Sequence, residues 1–389
     1  MAVTVGMLYK ESTKYKMNYL AGEEGFGNIV DWVHMIETVD GANFLHGQEL
    51  ILTAGILEQD EQALLQFVQT VYEKNASALV INTGMFVHQI PASVIDFCNQ
   101  HKFPLFSIPW IVPLVDVTKD YCQRIIDDDV REDNIITVFK NLIFQIGNKE
   151  EGIRQMERFG YLGNCVVQCI CIQLDIEKGT HAFVTEAEKL AAIVKRLACE
   201  QKKQYLTFEY QERRIVILFD YTQEAIDDYV DKLFKKLSER KMLSFSYIGL
   251  SDNVKGLECQ SENFKHAFCA CDIAQKRQEH ILKYRDMGLY KLFVNISSSE
   301  TINEYYQETL GKLLEYDKEN ATEIYRFIKI YIACDGHQGK VSDTFFVHRN
   351  TVNNYVKKAE DIMDIDLSSW EGRTKLYIAC LLEAFLQNG

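Results

Sequence analysis

The chain has 389 residues, with 42 Lys and Arg against 56 Asp and Glu, which gives a formal net charge of −14 at pH 7. This length predicts two or three domains, and a hydrophobic content of 47% is enough for packed cores. No run of about eighteen apolar residues and no basic-then-apolar leader occurs, so we expect no membrane span and no signal peptide, and we predict a cytoplasmic protein.

Eleven cysteines form no recognisable disulfide or metal pattern, because their number is odd and no CxxC pair occurs. Cys169 and Cys171 would share one face of an apolar strand, whereas Cys269 and Cys271 would point apart on a helix. We therefore predict buried free thiols, no metal site and no cofactor.

Residues 1–115 are predicted to form an α/β domain. Apolar runs at 50–52 and 78–81 end in polar-Gly segments and flank residues 61–75, which have the periodicity of a helix. A helix at 92–101 and a strand at 104–108 follow. Parallel strands bring their carboxyl ends to one sheet edge, where open α/β sheets bind ligands.

These strand exits predict a pocket for a small polar molecule, lined by Thr53, Gly55, Asn82, Thr83 and Gly84. The alternative is that Thr-Gly exits are simply favourable turns. No arrangement of nucleophile and base is visible there, so we predict no catalytic residue and no enzyme.

Residues 116–150 are predicted to form a long helix. A rough apolar seam runs along it, and an acidic cluster occupies 127–133. The seam consists of Val117, Tyr121, Ile125, Val130, Ile136, Phe139, Ile143 and Ile146. Such a helix could pair with a second copy and connect domains, or it could pack on its own domain. Both interpretations remain open.

Residues 151–298 alternate strands with helices and predict a second α/β domain. Strands are expected at 166–174, 205–210, 214–220 and 244–250, and helices at 186–202, 225–240 and 261–276. The hairpin between the second and third strands has the bulky turn Gln211-Glu212-Arg213 and no glycine.

Residues 299–389 are predicted to be all-α and to contain a helix-turn-helix. A helix at 321–334 would bury Ile324, Phe327, Ile328 and Tyr331, and Gly336 would stop it. A short helix at 338–345 would follow, with Phe345 and Phe346 filling the three-helix core.

The second helix of this motif would start near Arg349, with His348 as its N-cap. It would bury Val352, Val356, Ala359 and either Ile362 or Met363. Between Arg349 and Lys358 there are three basic residues and no acidic one. Arg pairs with guanine and Asn with adenine in the major groove of DNA. The alternative is an ordinary amphipathic helix with a solvated polar face.

The run Val347-His348-Arg349-Asn350-Thr351 resembles the hallmark of the C-terminal helix-turn-helix of PucR-type bacterial transcription regulators. Asn354 and Tyr355 stand where that family more often has Tyr and Arg. The resemblance and the helix geometry together predict a DNA-contacting set: His348, Arg349, Asn350, Thr351, Asn353, Asn354, Lys357 and Lys358.

Other segments resemble the same family. Residues 31–34, 47–55 and 104–113 are similar to its N-terminal domain, which is named for the control of purine catabolism and taken as a sensor. Glu49 and Trp110 lie in these motifs and join the candidate ligand-binding set, and Gln48 replaces the usual Gly. The middle region resembles a degenerate GGDEF-type domain, and Tyr284 to Leu289 resemble the family's Tyr-Arg-Asp-x-Gly-Leu run.

The resemblance implies a metabolite-responsive, homodimeric regulator that binds double-stranded DNA and controls purine or related nitrogen-compound catabolism. Residues 320–389 carry five Lys and three Arg against five Asp and four Glu, so a single copy should bind DNA weakly. The alternatives are a nucleotide cyclase or nucleotide-binding second-messenger module, and a metabolite-binding adaptor without a DNA target. The effector, the operator, and whether the protein activates or represses are not predicted.

Overall fold

The computed structural model describes residues 3–55, 60–201, 203–294 and 299–386. In these ranges two sheets flanked by helices are followed by a helical region. The predicted fold class, a mixed α/β protein with a sheet-containing N-terminal domain and a helical C-terminal region, is confirmed. None of the described helices is both long and apolar enough to cross a membrane.

The first sheet has the strand order β1-β5-β4-β3-β2. Its strands are β1 (Asn18–Ala21), β2 (Trp32–Met35), β3 (Glu49–Thr53), β4 (Ala78–Thr83) and β5 (Leu105–Pro109). Strands β2 to β5 are parallel, as predicted for β3 to β5, and β1 pairs antiparallel with β5 at the edge. The helices of this region are α1 (Val5–Lys10), α2 (Glu61–Glu73) and α3 (Ala92–Gln100).

Local sequence sets where helix α2 begins and which of its faces packs on this sheet. Asp60 caps it, because its carboxylate accepts a hydrogen bond from the Ala63 backbone N–H at 2.8 Å. The buried face consists of Leu64, Phe67, Val68 and Val71, and Leu65 beside them is half-buried. Helices α2 and α3 cover one face of the sheet, and α1 covers the other.

Helix α4 (Leu114–Phe144) is 31 residues long and belongs to two cores. Its first half buries Leu114, Val117, Tyr121 and Ile125 against the first sheet, beside α1. Its second half buries Ile135, Phe139, Leu142 and Ile143 against the second sheet. Most of the apolar seam is thus covered within one chain, and the predicted linker at 116–150 is part of both packed regions.

Two predicted seam residues do not follow this pattern. Val130 is 54% exposed and Ile146 is 62% exposed. Val130 lies in the acidic middle of α4, between the two cores. Ile146 lies beyond the helix, because Gln145 adopts a left-handed backbone conformation that ends α4 at Phe144.

The second sheet follows α5 (Lys149–Arg158) and has the order β11-β9-β6-β8-β7, with a short β10 beside β6. The strands are β6 (Val166–Leu174), β7 (Tyr205–Tyr210), β8 (Arg213–Phe219), β9 (Ser246–Leu250), β10 (Val254–Lys255) and β11 (Ile281–Lys283). The helices are α6 (His181–Glu200), α7 (Gln223–Glu239) and α8 (Gln260–Arg277). Every strand and helix predicted between 166 and 276 is present, with ends shifted by a few residues. The likeness of this region to a GGDEF-type domain remains a prediction.

The helical region surrounds one apolar core. Its elements are α9 (Lys291–Val294), α10 (Ser299–Tyr306), a π-helical turn (Gln307–Gly311), α11 (Lys312–Asn320), α12 (Ile324–Ala333), α13 (Gln338–Phe345), α14 (Arg349–Met363) and α15 (Trp370–Leu386). Helices α12, α13 and α14 correspond closely to the three helices predicted from the sequence.

All eleven cysteines are free thiols, but only five of them are buried. The buried five are Cys98, Cys165, Cys169, Cys171 and Cys271, and the other six are half-buried. The prediction that all cysteines are buried was therefore too broad. Burial raises the pKa of Cys98 to about 12 and the pKa of Cys165 to about 11.

Because the thiolate is the reactive form, we expect these buried thiols to resist alkylation in the folded protein. Iodoacetamide at pH 8 should label Cys259 and Cys334 first, and label Cys98, Cys169 and Cys171 only after unfolding in denaturant. Peptide mass spectrometry of timed samples measures this order. Labelling of Cys169 as fast as Cys334 in the folded protein would contradict the burial described here.

Candidate functional sites

The helix-turn-helix is built on a compact aromatic and aliphatic core. Helix α12 contributes Ile324, Phe327, Ile328 and Tyr331, which are all buried as predicted. The ring of Phe327 stacks against Phe345 and against Tyr355, each with a centroid distance of 4.8 Å. These contacts hold α13 and α14 against α12.

The turn between α13 and α14 corrects one prediction. Phe345 packs in the core, but Phe346 is 96% exposed. Phe346 has φ 53°, the left-handed conformation that closes a helix. Its backbone N–H donates to the Ser342 carbonyl oxygen, and its side chain therefore points away from the core.

Helix α14 begins as predicted, at a His348 N-cap. The Nδ1 atom of His348 accepts a hydrogen bond from the Asn350 backbone N–H at 3.2 Å. Val352, Val356, Ala359 and Met363 form the buried face. The sequence pattern identified this helix well, because its cap and its period are local features.

The predicted DNA-contacting side chains mostly lie on the open side of α14. His348, Arg349, Asn350, Asn354, Lys357 and Lys358 are exposed, and Thr351 and Asn353 are half-buried. Lys358 follows Arg349 by nine residues, which is about two and a half turns of an α-helix, so it lies on the opposite side. Its ammonium lies over the Tyr316 ring of α11, 4.8 Å from the centroid. The structure thus separates Lys358 from Arg349.

Arg349 has a partner that sequence reasoning missed. Its Nε–H donates to Oε1 of Gln338, the first residue of α13, at 3.1 Å. No local pattern connects the two residues, because they are eleven positions apart and lie on different helices. Only the packing of α13 against α14 brings them together.

The exits of the parallel strands lie side by side, as predicted. Thr53 is in register with Ile81, and Thr83 is in register with Pro109. Side chains alternate along a strand, however, so Thr53 follows Ile51 onto the α2 and α3 face. Asn82 follows Val80 onto the α1 and α4 face. The candidate ligand residues therefore share one edge of the sheet but occupy two faces.

On the α2 and α3 face, Thr53 is completely buried beside Glu37. The Thr53 hydroxyl donates to Oε2 of Glu37 at 3.1 Å, and the Ala54 backbone N–H donates to Oε1 at 2.8 Å. Thr53 Oγ1 in turn accepts from the Gly55 N–H at 3.1 Å. Glu37 was not among the predicted residues, because it precedes β3 by several positions and matches no motif.

On the other face, Asn82 is only 3% exposed. Among the described residues, its Oδ1 atom has no hydrogen-bond partner. A buried amide oxygen without a donor is unfavourable by about 1–3 kcal/mol. A ligand N–H or O–H, or a bound water molecule, would relieve that cost.

Gly84 and Trp110 form the rim of the same edge. Gly84 has φ 126°, a conformation that favours glycine, and its N–H donates to the Val87 carbonyl at 2.9 Å. The Trp110 backbone N–H donates to the Thr83 carbonyl oxygen at 2.8 Å. The Trp110 ring is 43% exposed and packs edge-on against Phe86, with a centroid distance of 5.4 Å.

Glu49 lies at the other end of β3 and does not belong to this site. Its carboxylate accepts from the backbone N–H groups of His46 and Gly47, at 2.7 and 2.9 Å. Those bonds organise the turn that enters the strand. Gln48 retains the left-handed conformation expected of glycine there, with φ 68°. We therefore remove Glu49 from the candidate ligand-binding set.

A cleft of about 500 Å³ lies between the first sheet, α4 and α6. At this cleft the Lys195 ammonium of α6 pairs with the Asp31 carboxylate at 3.0 Å, which joins the two sheet regions. Burial raises the pKa of Glu132 on α4 above its usual value. Within the described ranges, no group of three or more His, Cys, Asp or Glu side chains is placed to hold a metal ion.

Comparison with family models gives two matches. Residues 7–125 match the purine catabolism regulatory protein-like family, and residues 325–382 match the PucR C-terminal helix-turn-helix domain. The second match spans α12 to α15, and the first spans the first sheet together with the first part of α4.

Three relatives from Bacillus subtilis (strain 168) are similar over parts of their length. The proline-responsive transcriptional activator PutR is 23% identical over 43% of this chain and 43% of its own length. The purine catabolism regulatory protein is 26% identical over 28% of this chain and 21% of its own. The DNA-binding transcriptional activator AdeR is 20% identical over 41% of this chain and 38% of its own. The chain thus aligns with less than half of each relative.

Among solved structures, the regulator of polyketide synthase expression from Bifidobacterium adolescentis is 13% identical, with a TM-score of 0.33. The alignment covers 65% of this chain and 98% of that one. By these matches, the chain carries a PucR-type N-terminal domain at residues 7–125 and a PucR-type C-terminal helix-turn-helix domain at residues 325–382.

Proposed function

We propose that the protein is a transcription regulator that binds double-stranded DNA through α14 and responds to a small metabolite bound by its N-terminal domain. The observation that carries this proposal is the open face of α14, where Arg349, Asn350, Asn354 and Lys357 are exposed on a helix whose other face is buried. Duplex binding by the full chain, before and after replacement of Arg349 and Asn350 by Ala, tests it.

The charge balance supports action as a pair of chains. Residues 320–389 have one more acidic than basic residue, so the domain has little general attraction for phosphate. Two recognition helices on half-sites one or more helical turns apart would add their base contacts. We therefore infer a homodimer in the cytoplasm as the active form.

The strand edge of the first sheet is the proposed effector site. At this edge the Asn82 Oδ1 atom has no partner among the described residues, and the exposed Trp110 ring lies on the rim. The Glu37 and Thr53 pair lies at the same edge but on the opposite face of the sheet. The names of two relatives, one proline-responsive and one a purine catabolism regulator, suggest amino acids and purine-derived compounds as the first candidates.

Helix α4 offers a route from this site to the rest of the protein. It starts five residues after Pro109, the end of β5, and its second half is part of the core of the second sheet. A ligand at the strand edge would bias the position of α4, provided that it binds one arrangement more tightly than another. A shift of α4 would then break or re-form the Asp31–Lys195 ion pair that joins the two sheet regions.

An effector should raise the thermal midpoint of the full chain. A ligand present at a free concentration of 100 times its dissociation constant stabilises a folded protein by about 2.7 kcal/mol. We expect one compound from a panel of purines, ureides and amino acids to raise the midpoint of the wild-type protein in a thermal-shift assay. Asn82→Ala should reduce that rise, because it removes the unpartnered acceptor.

The control for this prediction is Asn134→Ala, which changes an exposed asparagine on α4. It should leave the ligand-induced rise unchanged. An equal rise in the wild-type and Asn82→Ala proteins would remove Asn82 from the effector site. A panel that produces no rise would contradict the sensor proposal as it stands.

The structure adds an argument against the cyclase alternative. The two-residue turn Gln211-Glu212 has a left-handed backbone at both positions, with φ 48° and 59°. The turn therefore has a backbone conformation that favours glycine, but both of its residues carry long side chains. The next residue, Arg213, turns inward and pairs with Asp272 at 2.6 Å. A turn that admits nucleotide phosphate needs close backbone approach, which glycine would provide. We therefore propose a relay role for this region, and no catalysis.

A further inference from the structure

The Gln338–Arg349 hydrogen bond suggests how α14 would recognise a base. This inference rests on the proposed DNA-binding function. An arginine side chain has five N–H donors, one on Nε and four on the two Nη atoms. In this structure the Nε–H donates to Oε1 of Gln338 at 3.1 Å. A bidentate contact to guanine O6 and N7 can be made with the two Nη groups, and these are the donors that the Gln338 bond leaves available.

The other two arginines of the region have different surroundings. Arg326 pairs with Glu323 at 3.1 Å, and the Nη1 atom of Arg373 donates to the carbonyls of Leu367 and Ser368 at 3.0 and 2.7 Å. Arg373 is thus used to hold the chain between α14 and α15. Within the described ranges, no carboxylate lies within ion-pair distance of Arg349. Among the described residues, its side-chain hydrogen bond goes to the neutral amide of Gln338, so the side chain is held without loss of its charge.

We infer that Gln338 is a positioning residue that sets the base specificity of Arg349. The Gln338 amide oxygen of α13 holds the Nε side of the guanidinium group and leaves the two Nη groups available to a base. A free arginine side chain loses rotamer freedom worth up to about 2 kcal/mol when it is ordered. An arginine that is held before binding has already lost part of this freedom, so its contact with guanine discriminates more strongly.

The test is a double-mutant cycle in the full-length protein. The operator is first selected by the wild-type chain from a random duplex pool. Affinity is then measured for that operator and for a variant in which the guanine assigned to Arg349 is replaced. The four proteins are wild type, Gln338→Met, Arg349→Ala and the double variant. Methionine keeps the length of glutamine but has no amide oxygen.

We expect the wild type to prefer the cognate guanine by roughly 5- to 150-fold, and Arg349→Ala to lose that preference. Gln338→Met should reduce the preference by about 2- to 10-fold, the size of a single hydrogen bond. In the Arg349→Ala background the same change should alter affinity by less than about 2-fold, because Gln338 acts through Arg349. Gln338→Glu should keep the guanine preference that Gln338→Met loses, since glutamate still offers an acceptor to Arg349. Its negative charge should weaken binding to both duplexes alike.

Three results would overturn this inference while leaving DNA binding intact. The guanine preference could survive Gln338→Met. The substitution could weaken binding equally in both backgrounds, which would mean that Gln338 contacts DNA itself. It could also strengthen binding, which would mean that Gln338 withholds Arg349 from DNA. If the wild-type chain selects no sequence at all, the proposed function fails and this inference fails with it.

Discussion

Replacement of Arg349 and Asn350 by Ala should lower the affinity of the full chain for its operator by roughly 30-fold or more. Each bidentate contact between a side chain and a base contributes about 1–3 kcal/mol of discrimination, so the loss of two corresponds to at least about 2 kcal/mol. Both side chains are exposed at the start of α14, and neither belongs to its buried face. Fluorescence anisotropy with a labelled duplex measures the change.

The folded structure should survive this double substitution, since surface changes away from buried contacts usually alter stability by less than about 0.5 kcal/mol. Arg326→Ala is the matched control, because Arg326 belongs to α12 and forms an exposed ion pair with Glu323. It removes the same charge from the same domain and should leave specific affinity nearly unchanged. Undiminished operator binding by the double variant would mean that α14 is not the recognition helix.

Phe139→Ala should destabilise the second sheet by about 3–5 kcal/mol, the usual cost of removing a buried phenylalanine side chain. Phe139 is fully buried on α4 and packs edge-on against Phe219 of β8, with a centroid distance of 5.7 Å. The expected result is faster hydrogen exchange of the backbone amides in β6 and β8, measured by mass spectrometry of the full chain.

Val130→Ala is the control on the same helix, since Val130 is 54% exposed. It should leave exchange in both sheets unchanged. Equal exchange in the wild-type and Phe139→Ala proteins would mean that α4 is not part of the second core, and α4 would then be a free connector between domains. A local probe is preferable to a single denaturation midpoint, because a chain with two sheets need not unfold in one step.

Helix α14 was predictable because its determinants are close together in the chain. The period of Val352, Val356, Ala359 and Met363 identified the buried face, and His348 identified the cap. The prediction went wrong at Phe346, one residue past the end of α13. There a left-handed backbone overrides hydrophobicity and sends the side chain outward.

The candidate effector site was predictable only in part. Glu49 joined the candidate set because it lies in the family-like segment 47–55, which also contains Thr53. A strand advances about 3.3 Å per residue, so these two side chains lie at opposite ends of β3. Glu37 accepts a hydrogen bond from Thr53, which lies sixteen residues further along the chain. No local sequence pattern predicts this contact.

The sequence by itself determined the order of elements from β3 to β5 and from β6 to α8, the parallel exits of β3 and β4, the buried faces of α12 and α14, and the start of α14. These features depend on periodicity, caps and turns, which act over a few residues. Only the tertiary structure decided that α4 serves two cores, that Thr53 and Asn82 face opposite sides of the sheet, and that Gln338 holds Arg349. Each of these depends on which elements pack together, and packing joins residues that are far apart in the chain.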